Sequence, residues 1–442
     1  MAITTLAVQG GQPVVARERI RRWPIVTDAD RAAILRVMDS GIFCGANAPE
    51  GSALEREFAA FNGSRYCLAS NSGTAALHMA VAAAGVQPGD EVITSAFTFV
   101  ASGLSVLHHN AIPVFADIDP RTYNIDPAAI AAKITPRTRA IIPVHIHGLP
   151  ADMDEILVLA RKHNLCVIED AAQAHGATYK GRNVGTLGKL GCFSLQASKS
   201  LPAGEGGLLV TDDAELHQRA ARLRVFGEEA AGEGLAGWDK DRPLDDLREY
   251  NASVIGWMYR TTELNAAFTR AQLARLPENI QRARRNGARL SARLRELDLV
   301  TPPHVPADRT HMYHKYRVRL HPERVAPELC PKRFRTALLQ ALRAEGVEVV
   351  LWQTVPVPSQ IFFQIQEGYG KGCPWTCHHS AIRYAQEEYP ETQKLLDNSL
   401  VIGSQSAPIV AQDLDVIDQF ADAFEKVLSD KDELIRMARE EE

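Results

Sequence analysis

The chain has 442 residues, 45% of them hydrophobic and 23% charged, which is enough for two domains that each bury an apolar core. Its formal net charge of -5 gives no electrostatic reason to expect a nucleic acid or an anionic membrane as a partner. No apolar run reaches the roughly 18 residues of a membrane span, and the N-terminus lacks a secretory pattern. We therefore expect a cytoplasmic protein that acts on small molecules.

From residue 65 to residue 213, short β-rich runs alternate with longer amphipathic runs, as in parallel strands joined by crossover helices. The predicted strands are 66–69, 91–94, 113–117, 140–145, 166–169, 192–195 and 207–210. The predicted helices are 74–84, 101–109, 127–134, with Asp126 as its N-cap, and 153–163. This pattern predicts an α/β domain whose sheet is covered by helices on both faces.

Beyond residue 213 the alternation of predicted strands and helices ends. A helix is predicted over 214–224, and the glycine-rich, charged stretch 227–250 is typical of a long surface excursion. An amphipathic pattern over 261–297, with a predicted break near Pro277, could bridge to a second domain. We therefore divide the chain into a large domain with an N-terminal arm, residues 1–270, and a smaller C-terminal domain, residues 271–442.

The C-terminal part has an α+β pattern. It predicts strands over 313–320 and 347–352, helices over 332–345 and 413–428, and a charged, solvated tail or frayed helix end over 431–442. Residues 355–392 show no clear period, so their structure stays open, with a role in shaping the substrate pocket as one possibility.

The seven cysteines are scattered and odd in number, which is not a disulfide framework, so most are expected to be small core residues. The stretch from Cys373 to His379 contains thiol and imidazole groups that suit zinc. A zinc site usually needs a second ligand pair at a defined spacing, and the sequence shows no clear one. We predict a packed loop around Trp375 and no metal.

Three local patterns carry chemistry. The first is Asn71-Ser-Gly-Thr-Ala75 between a predicted strand and helix, where small residues let backbone N–H groups approach a phosphate at the helix N-terminus. The alternative is a tight turn that Thr74 caps.

The second pattern is an apolar strand that ends in Glu169 and Asp170. An aspartate there can face the crevice at the carboxyl ends of the strands and hold a proton on a pyridine nitrogen. The alternative is an aspartate that caps the following turn.

The third pattern is Lys199, which follows a predicted buried strand and precedes the glycine turn 204–207. A desolvated lysine can lose its proton near neutral pH and attack an aldehyde, although most lysines are simply solvated. Phosphate cradle, strand-end aspartate and lysine, in this order, are what an α/β domain that binds pyridoxal phosphate (PLP) requires.

At this point the chain resembles the DegT and StrS family of PLP-dependent aminotransferases, fold type I enzymes that mostly aminate keto-sugars and keto-cyclitols. Besides Lys199, the resemblance rests on the segments SAFTF (95–99), FADID (115–119), YNID (123–126), PVH (143–145), EDAAQAHG (169–176), GEGG (204–207) and TELN (262–265). It implies a mostly parallel seven-stranded sheet in the large domain and a smaller α+β domain.

Carried over residue by residue, the resemblance implies that Lys199 is the catalytic Schiff-base lysine. Asp170 would pair with the pyridine nitrogen, and Gln173 would lie near the phenolic oxygen of the cofactor. Phe99 would stack on the ring, with Phe97 in the core. The phosphate would be held by Ser72, Gly73, Thr74 and Ser194.

Members of this family are homodimers that share active-site residues. Where the family usually has Gly-x-Asn-x-Arg, this sequence has Gly256-Trp-Met258-Tyr-Arg260, and Met258 cannot donate the hydrogen bond of the asparagine. Either Tyr259, Arg260 or Asn251 replaces it, or the partner subunit contributes to the site in a different way. Arg260 is also a candidate for the carboxylate of the amino donor, with an ion pair to Glu263 as the equally weighted alternative.

The implied reaction is a ping-pong amino transfer from L-glutamate or L-glutamine to a keto-cyclitol or keto-sugar, with pyridoxamine phosphate as the intermediate form, in natural-product biosynthesis. The segments GGQP (10–13), Trp23-Pro24 and YNID (123–126) resemble most closely aminotransferases of the scyllo-inosose type and 3-amino-5-hydroxybenzoate synthase. The acidic residues that follow Val225-Phe-Gly227 disfavour a nucleotide diphosphate substrate. A PLP-dependent dehydratase or aromatising synthase is the alternative. A non-catalytic regulator would lack the lysine or the aspartate, and a dehydrogenase would show Gly-x-Gly-x-x-Gly after its first strand.

Overall fold

The structure, a computed structural model, describes residues 5–45, 48–228 and 252–440. The strands are β1 (Tyr66–Ser70), β2 (Glu91–Ser95), β3 (Ile112–Ala116), β4 (Thr138–Ile142), β5 (Cys166–Asp170), β6 (Thr178–Tyr179), β7 (Arg182–Asn183), β8 (Leu190–Ser194), β9 (Gly207–Thr211), β10 (Val300–Thr301), β11 (Tyr316–Leu320), β12 (Val349–Val350) and β13 (Ser399–Ile402). The α-helices are α1 (Asp28–Ser40), α2 (Pro49–Asn62), α3 (Gly73–Ala83), α4 (Ala101–His108), α5 (Pro127–Lys133), α6 (Met153–His163), α7 (Ala214–Arg224), α8 (Glu263–Leu294), α9 (Pro331–Ala344), α10 (Ile361–Ile365), α11 (Pro390–Asp397), α12 (Leu414–Ser429) and α13 (Lys431–Glu440).

The seven strands predicted between residues 65 and 213 form one seven-stranded sheet in the order β1-β9-β8-β5-β4-β2-β3. Only β9 runs antiparallel to its neighbours, so the predicted mostly parallel α/β sheet is confirmed. The five residues of β2, β3, β8 and β9 are buried throughout, as expected for strands covered on both faces. The strand predicted over 140–145 ends earlier, at Ile142, because Pro143 has no N–H to continue the ladder.

The second sheet has the order β10-β11-β13-β12 and is antiparallel throughout. Helix α8 connects the two parts: Leu273, Leu276 and Ile280 pack in the core under the large sheet, and Leu290 and Leu294 pack in the core of the smaller one. The domain division at residues 270 and 271, which falls inside this helix, stays a prediction.

The helix break predicted at Pro277 is wrong, because α8 runs through this residue without interruption. Proline removes one hydrogen bond of the helix interior, but the buried side chains on both sides of it hold the helix in place. The predicted solvated tail over 431–442 is also wrong for its described part. Residues Lys431–Glu440 form α13, whose Leu434 is buried in the smaller core and whose Ala438 is also fully buried. The strand predicted over 347–352 shrinks to Val349–Val350.

Residues 355–392 wrap over β3, the edge strand of the large sheet. Phe363 and Tyr384 pack edge-on against Phe115 of this strand, and the hydroxyl of Tyr384 donates to the carbonyl of Pro113 at 2.8 Å. The buried Trp375 donates its indole N–H to the hydroxyl of Tyr384 at 3.0 Å. The segment therefore covers an exposed sheet edge.

The cysteines differ in part from the prediction. Cys373 and Cys377 form a disulfide, which the sequence analysis did not predict, and Cys44 and Cys330 are exposed rather than in the core. Cys67 and Cys192 are buried as expected. Over the described ranges, no group of three or more His, Cys, Asp or Glu side chains is arranged to hold a metal ion.

Most of the predicted excursion 227–250 lies outside the described residues, so that prediction is not addressed. Among the helices of the described ranges, none has both the length and the apolar character that crossing a membrane requires.

Candidate active site

A cavity of about 400 Å³ lies where the carboxyl ends of β1, β2, β5 and β8 meet, the usual ligand position in an open α/β sheet. All eight residues that the sequence assigned to the cofactor line this one cavity: Ser72, Gly73, Thr74, Phe99, Asp170, Gln173, Ser194 and Lys199. They come from six separate stretches of chain. The fold therefore brings together side chains that are up to 127 residues apart, from Ser72 to Lys199 (199 − 72).

Helix α3 begins at the floor of this cavity. Ser72, not Thr74, is its N-cap, and the Ser72 hydroxyl accepts from the N–H of Ala75 at 3.0 Å. A Cβ on Gly73 would lie 2.7 Å from the Cβ of Ser194, so glycine is needed for the helix to start against β8. The N–H groups of Gly73 and Thr74, at the positive end of the helix dipole, face the cavity without an acceptor among the described residues.

Asp170 is the last residue of β5, and its carboxylate is buried at the cavity. One oxygen accepts from the hydroxyl of Ser102 at 2.7 Å, and the other accepts from the N–H of Ala172 at 3.1 Å. The second bond is the turn cap that the sequence left as the alternative. Burial raises the pKa of Asp170, while Ser102, Ala172 and the charge of Lys199 act in the opposite direction.

Glu169, the neighbour of Asp170, has a different role. Its buried carboxylate accepts from the N–H groups of residues 185, 187 and 188 at 2.6 to 2.7 Å and lies 2.9 Å from Nε2 of His145. These bonds satisfy the carboxylate inside the protein. Glu169 and His145 therefore stabilise the loop before β8 and do not line the cavity.

Lys199 follows β8 and is half-buried in the cavity. Its main chain is held in place, since its N–H donates to the carbonyl of Gln196 at 2.8 Å and its carbonyl accepts from the indole N–H of Trp23 at 3.1 Å. Desolvation lowers the pKa of the Lys199 ammonium to about 8, although the carboxylates of Asp170 and Glu205 favour the charged form. A substantial fraction of the amine is therefore neutral in weakly basic solution.

Gln173 and Phe99 complete the predicted set. The side-chain oxygen of Gln173 accepts from the N–H of His147 at 2.8 Å, which leaves its NH₂ group as the donor toward a ligand. Phe99 is 57% exposed at the mouth of the cavity. Phe97 is fully buried against Trp352 and His147, as the sequence predicted.

Two of the residues predicted to replace the family asparagine, Tyr259 and Arg260, do not line the cavity of their own chain. The hydroxyl of Tyr259 lies 2.9 Å from Nδ1 of His78, and Arg260 lies outside the lining. The alternative ion pair of Arg260 with Glu263 is wrong, because the Glu263 carboxylate accepts from the N–H groups of residues 50 and 51 at the start of α2. Asn251 lies outside the described residues.

The contribution of the second sheet to the site was not predicted from the sequence. The cavity is also lined by His314, Lys315, Trp352 and Gln405, which come from the ends of β11, β12 and β13, and by Glu205 of the glycine turn. A lysine within the predicted buried strand 313–320 was the signal that could have identified Lys315. Residues 355–392 do not line the cavity, so the possibility that they shape it is not supported.

A family model described as the DegT/DnrJ/EryC1/StrS aminotransferase family matches residues 24–386. The chain belongs to this family. Its cofactor is pyridoxal 5'-phosphate, and its reaction is an amino transfer between small molecules.

Individual members of the family are similar over most of the chain. Protein MosB from Rhizobium meliloti is 36% identical over 408 residues, which is 90% of this chain and 75% of that protein. The L-glutamine:scyllo-inosose aminotransferase of Streptomyces griseus is 39% identical over 344 residues, 77% of this chain and 79% of that protein. The crystal structure of 3-amino-5-hydroxybenzoic acid synthase, 30% identical, superimposes with a TM-score of 0.76 over 93% of this chain and 100% of its own.

The cavity fits this cofactor on chemical grounds. The start of α3 offers unpaired N–H groups to a phosphate, and the glycines at 73 and 207 keep side chains out of the cradle, since a Cβ on Gly207 would lie 2.3 Å from the carbonyl oxygen of Ser72. A buried carboxylate suits a protonated pyridine nitrogen, and a partly neutral lysine suits the aldehyde. The donor set of this chain therefore matches the three polar ends of pyridoxal phosphate.

Proposed function

We propose that this chain transfers an amino group from L-glutamine or L-glutamate to the ketone of a cyclitol or sugar. The observation that carries the proposal is the meeting of Lys199, Asp170 and the N-terminus of α3 in one cavity. These groups supply a nucleophilic amine, a fixed negative charge and a phosphate cradle. Each lies at or just beyond the carboxyl end of a strand of the same sheet.

The residues of the large domain would hold the cofactor. Ser72, Gly73, Thr74 and Ser194 would bind its phosphate, and Phe99 would cover its ring. The carboxylate of Asp170 would keep the ring nitrogen protonated, and the NH₂ group of Gln173 would donate to the phenolic oxygen. When bound, the cofactor supplies an electron sink for the charge that develops on the reacting carbon.

The Nζ atom of Lys199 would move the proton. With its pKa lowered to about 8, the amine can accept a proton from the α-carbon of the donor and return one without a large free-energy cost in either direction. The hydrogen bond from the indole of Trp23 to the Lys199 carbonyl fixes the backbone from which this side chain extends. Lys199 is therefore the catalytic residue of the proposal.

The acceptor is proposed to be a ring with several hydroxyl groups. Uncharged polar side chains line the cavity beside Lys199, namely Gln196, Ser198 and Gln405. Such groups suit hydroxyls, which both donate and accept hydrogen bonds. Names of relatives support the same class, because several are L-glutamine aminotransferases that act on scyllo-inosose or its 2-deoxy form.

We also propose that the active form is a homodimer with shared sites. Apolar side chains are exposed just before residues 256–260, the segment that departs from the family pattern: Ile255 is 81% exposed and Val254 is 43% exposed. Arg260, Tyr259 and Asn251 would then act in the cavity of the partner. Light scattering of the purified protein tests the dimer, and mixing Lys199→Ala protein with Arg260→Ala protein tests the sharing, because mixed dimers should regain activity at one of their two sites.

The function is tested by the visible absorbance of the cofactor-loaded protein. L-Glutamine or L-glutamate should abolish the band in the native protein, and scyllo-inosose should restore it with formation of an amino-cyclitol. The Lys199→Ala variant should bind the cofactor without this discharge. Release of water and an aromatic product without a restored band would instead favour the dehydratase alternative. A native protein whose band no amino donor changes would overturn the proposal.

A further inference from the structure

The cavity contains a second lysine that the proposed mechanism does not use. Lys315 comes from the smaller domain, directly before β11, and lines the same cavity as Lys199. Only 6% of it is exposed, so its ammonium is separated from bulk water. Its Nζ lies 5.5 Å from the centre of the Trp352 ring, a cation–π distance. Lys315 is therefore ordered and directed at the ligand space.

Within the described part of the chain, the charge of Lys315 has no opposite charge beside it. Among the described residues, no carboxylate, hydroxyl or carbonyl accepts a hydrogen bond from its ammonium. The two carboxylates of the cavity, Asp170 and Glu205, act on Lys199, and neither figures among the charges that act on Lys315. Burying an unpaired cation costs free energy, and an anion that binds from outside the chain would offset this cost.

Other buried cations of this protein are satisfied internally. Arg317, two residues further on, donates to Nε2 of His147 at 3.0 Å, to the Ser399 hydroxyl at 2.6 Å and to the Trp352 carbonyl at 2.7 Å. Arg309 pairs with Asp152 at 2.7 Å. Arg317 and Arg309 therefore stabilise the fold through internal partners, and Lys315 differs from both of them.

We propose that Lys315 binds a carboxylate of a substrate in this cavity, with the ring of Trp352 as the apolar surface beside it. One unpaired ammonium matches the single charge of a carboxylate, whereas the doubly charged phosphate has its own cradle at the start of α3. This inference rests on the proposed function for the existence of an amino-acid donor, whose α-carboxylate is one source of the anion. A carboxylate on a cyclic acceptor is the other source.

The charged surroundings make the binding sensitive to pH. The groups that act on Lys315 or are acted on by it are Lys199, Arg317, His314 and His147, which are cationic or neutral and include no acid. Burial, followed by the charges of Lys199 and Arg317, lowers the pKa of Lys315 to about 7. Because only the ammonium form attracts an anion, carboxylate affinity should fall as the pH rises through about 7 in the native protein.

The test is equilibrium binding to the cofactor-loaded protein by calorimetry, which needs no turnover. The probes are glutarate, its uncharged diamide glutaramide, and 3,5-dihydroxybenzoate as a cyclic carboxylate. Native protein is compared with Lys315→Met, Lys315→Arg and the remote surface variant Lys162→Met. Retained Tm and retained cofactor band show that each variant is folded and loaded.

We expect Lys315→Met to lower the affinity for glutarate at least about tenfold and to leave the affinity for glutaramide unchanged. Lys315→Arg should retain most of the native affinity for glutarate and should shift the fall in affinity to higher pH. If Lys315→Met loses affinity for glutarate, the carboxylate that Lys315 binds belongs to the donor. If it loses affinity for 3,5-dihydroxybenzoate alone, that carboxylate belongs to the acceptor. Unchanged affinity for both carboxylates overturns the proposal, and so does loss of the cofactor band alone, which would assign Lys315 to the phosphate. Failure of L-glutamine to discharge the band would instead refute the proposed donor and leave the binding result intact.

Discussion

The cavity has two walls that differ in how their charges are balanced. The sheet wall, residues 72–74 with Asp170, Ser194 and Lys199, contains a cation and an anion that stabilise each other's charged forms. The small-domain wall, formed by His314, Lys315, Trp352 and Gln405, contains the cation Lys315, for which the described residues supply no partner. A balanced wall suits a resident cofactor, and an unbalanced one suits a ligand that comes and goes. Variants in the two walls should therefore affect different properties of the protein.

The largest effect is expected on the sheet wall. Lys199→Ala should lower the rate of amino transfer by about 10⁴-fold or more, because it removes the amine that is proposed to move the proton. The cradle at α3 is unchanged, so the variant should still bind the cofactor. Steady-state and single-turnover rates measure the loss. A variant that retains a tenth of the native rate would show that Lys199 is not the catalytic lysine.

Asp170→Asn should lower the rate by about 10²- to 10³-fold, because an amide keeps the hydrogen bond to Ser102 but cannot hold a charge at the ring nitrogen. Its Tm should not fall, since a buried carboxylate is removed. Glu169→Gln is the matched control one residue away. It should lower the Tm instead, because three backbone N–H groups depend on this carboxylate. Equal behaviour of the two variants would contradict their assignment to different roles.

Gly73→Ala tests the cradle without touching a polar group. The new Cβ would lie 2.7 Å from the Cβ of Ser194 and would separate the start of α3 from β8. Cofactor affinity should fall about tenfold, although alanine itself favours a helix. Equilibrium dialysis against pyridoxal phosphate measures the change. Native affinity in this variant would mean that the phosphate is bound elsewhere.

The smallest effect concerns the stability of the small-domain wall. Lys315→Met removes an unpaired buried charge and keeps the length of the side chain, so it should raise the free energy of unfolding by about 1 kcal/mol or more and the Tm by about 2 °C. The exposed Lys162→Met should change stability by no more than about 0.5 kcal/mol. A loss of Tm in Lys315→Met would show that this lysine supports the fold.

The fold and the sheet wall could be predicted from the sequence because both depend on local signals. Each strand of the large sheet is a short apolar run, and Ser72, Asp170 and Lys199 each follow such a run, where parallel strands place ligand-binding side chains. The resemblance to a known family fixed the roles. Helix α8 passes through Pro277 and α13 is buried because of packing against distant elements, which no local pattern contains.

The small-domain wall could not be predicted for the same reason. Lys315 shares a cavity with Lys199 only because the fold places the start of β11 at the carboxyl ends of the large sheet, and Gln405 reaches the same cavity from 206 residues beyond Lys199 (405 − 199). A lysine in an apolar strand indicates a buried charge but not the site that it faces. The contact of the Tyr259 hydroxyl with His78 could not be predicted either, because it depends on how residues 252–260 pack on α3.

The most direct test of the account is to find which lysine carries the cofactor. Borohydride reduction of the loaded protein, followed by peptide mass mapping, locks the pyridoxyl group onto the amine that holds it. We expect modification of Lys199 alone, with Lys315 unmodified in the same cavity. Modification of Lys315, or of no lysine at all, would contradict the division of the cavity into a cofactor wall and a substrate wall.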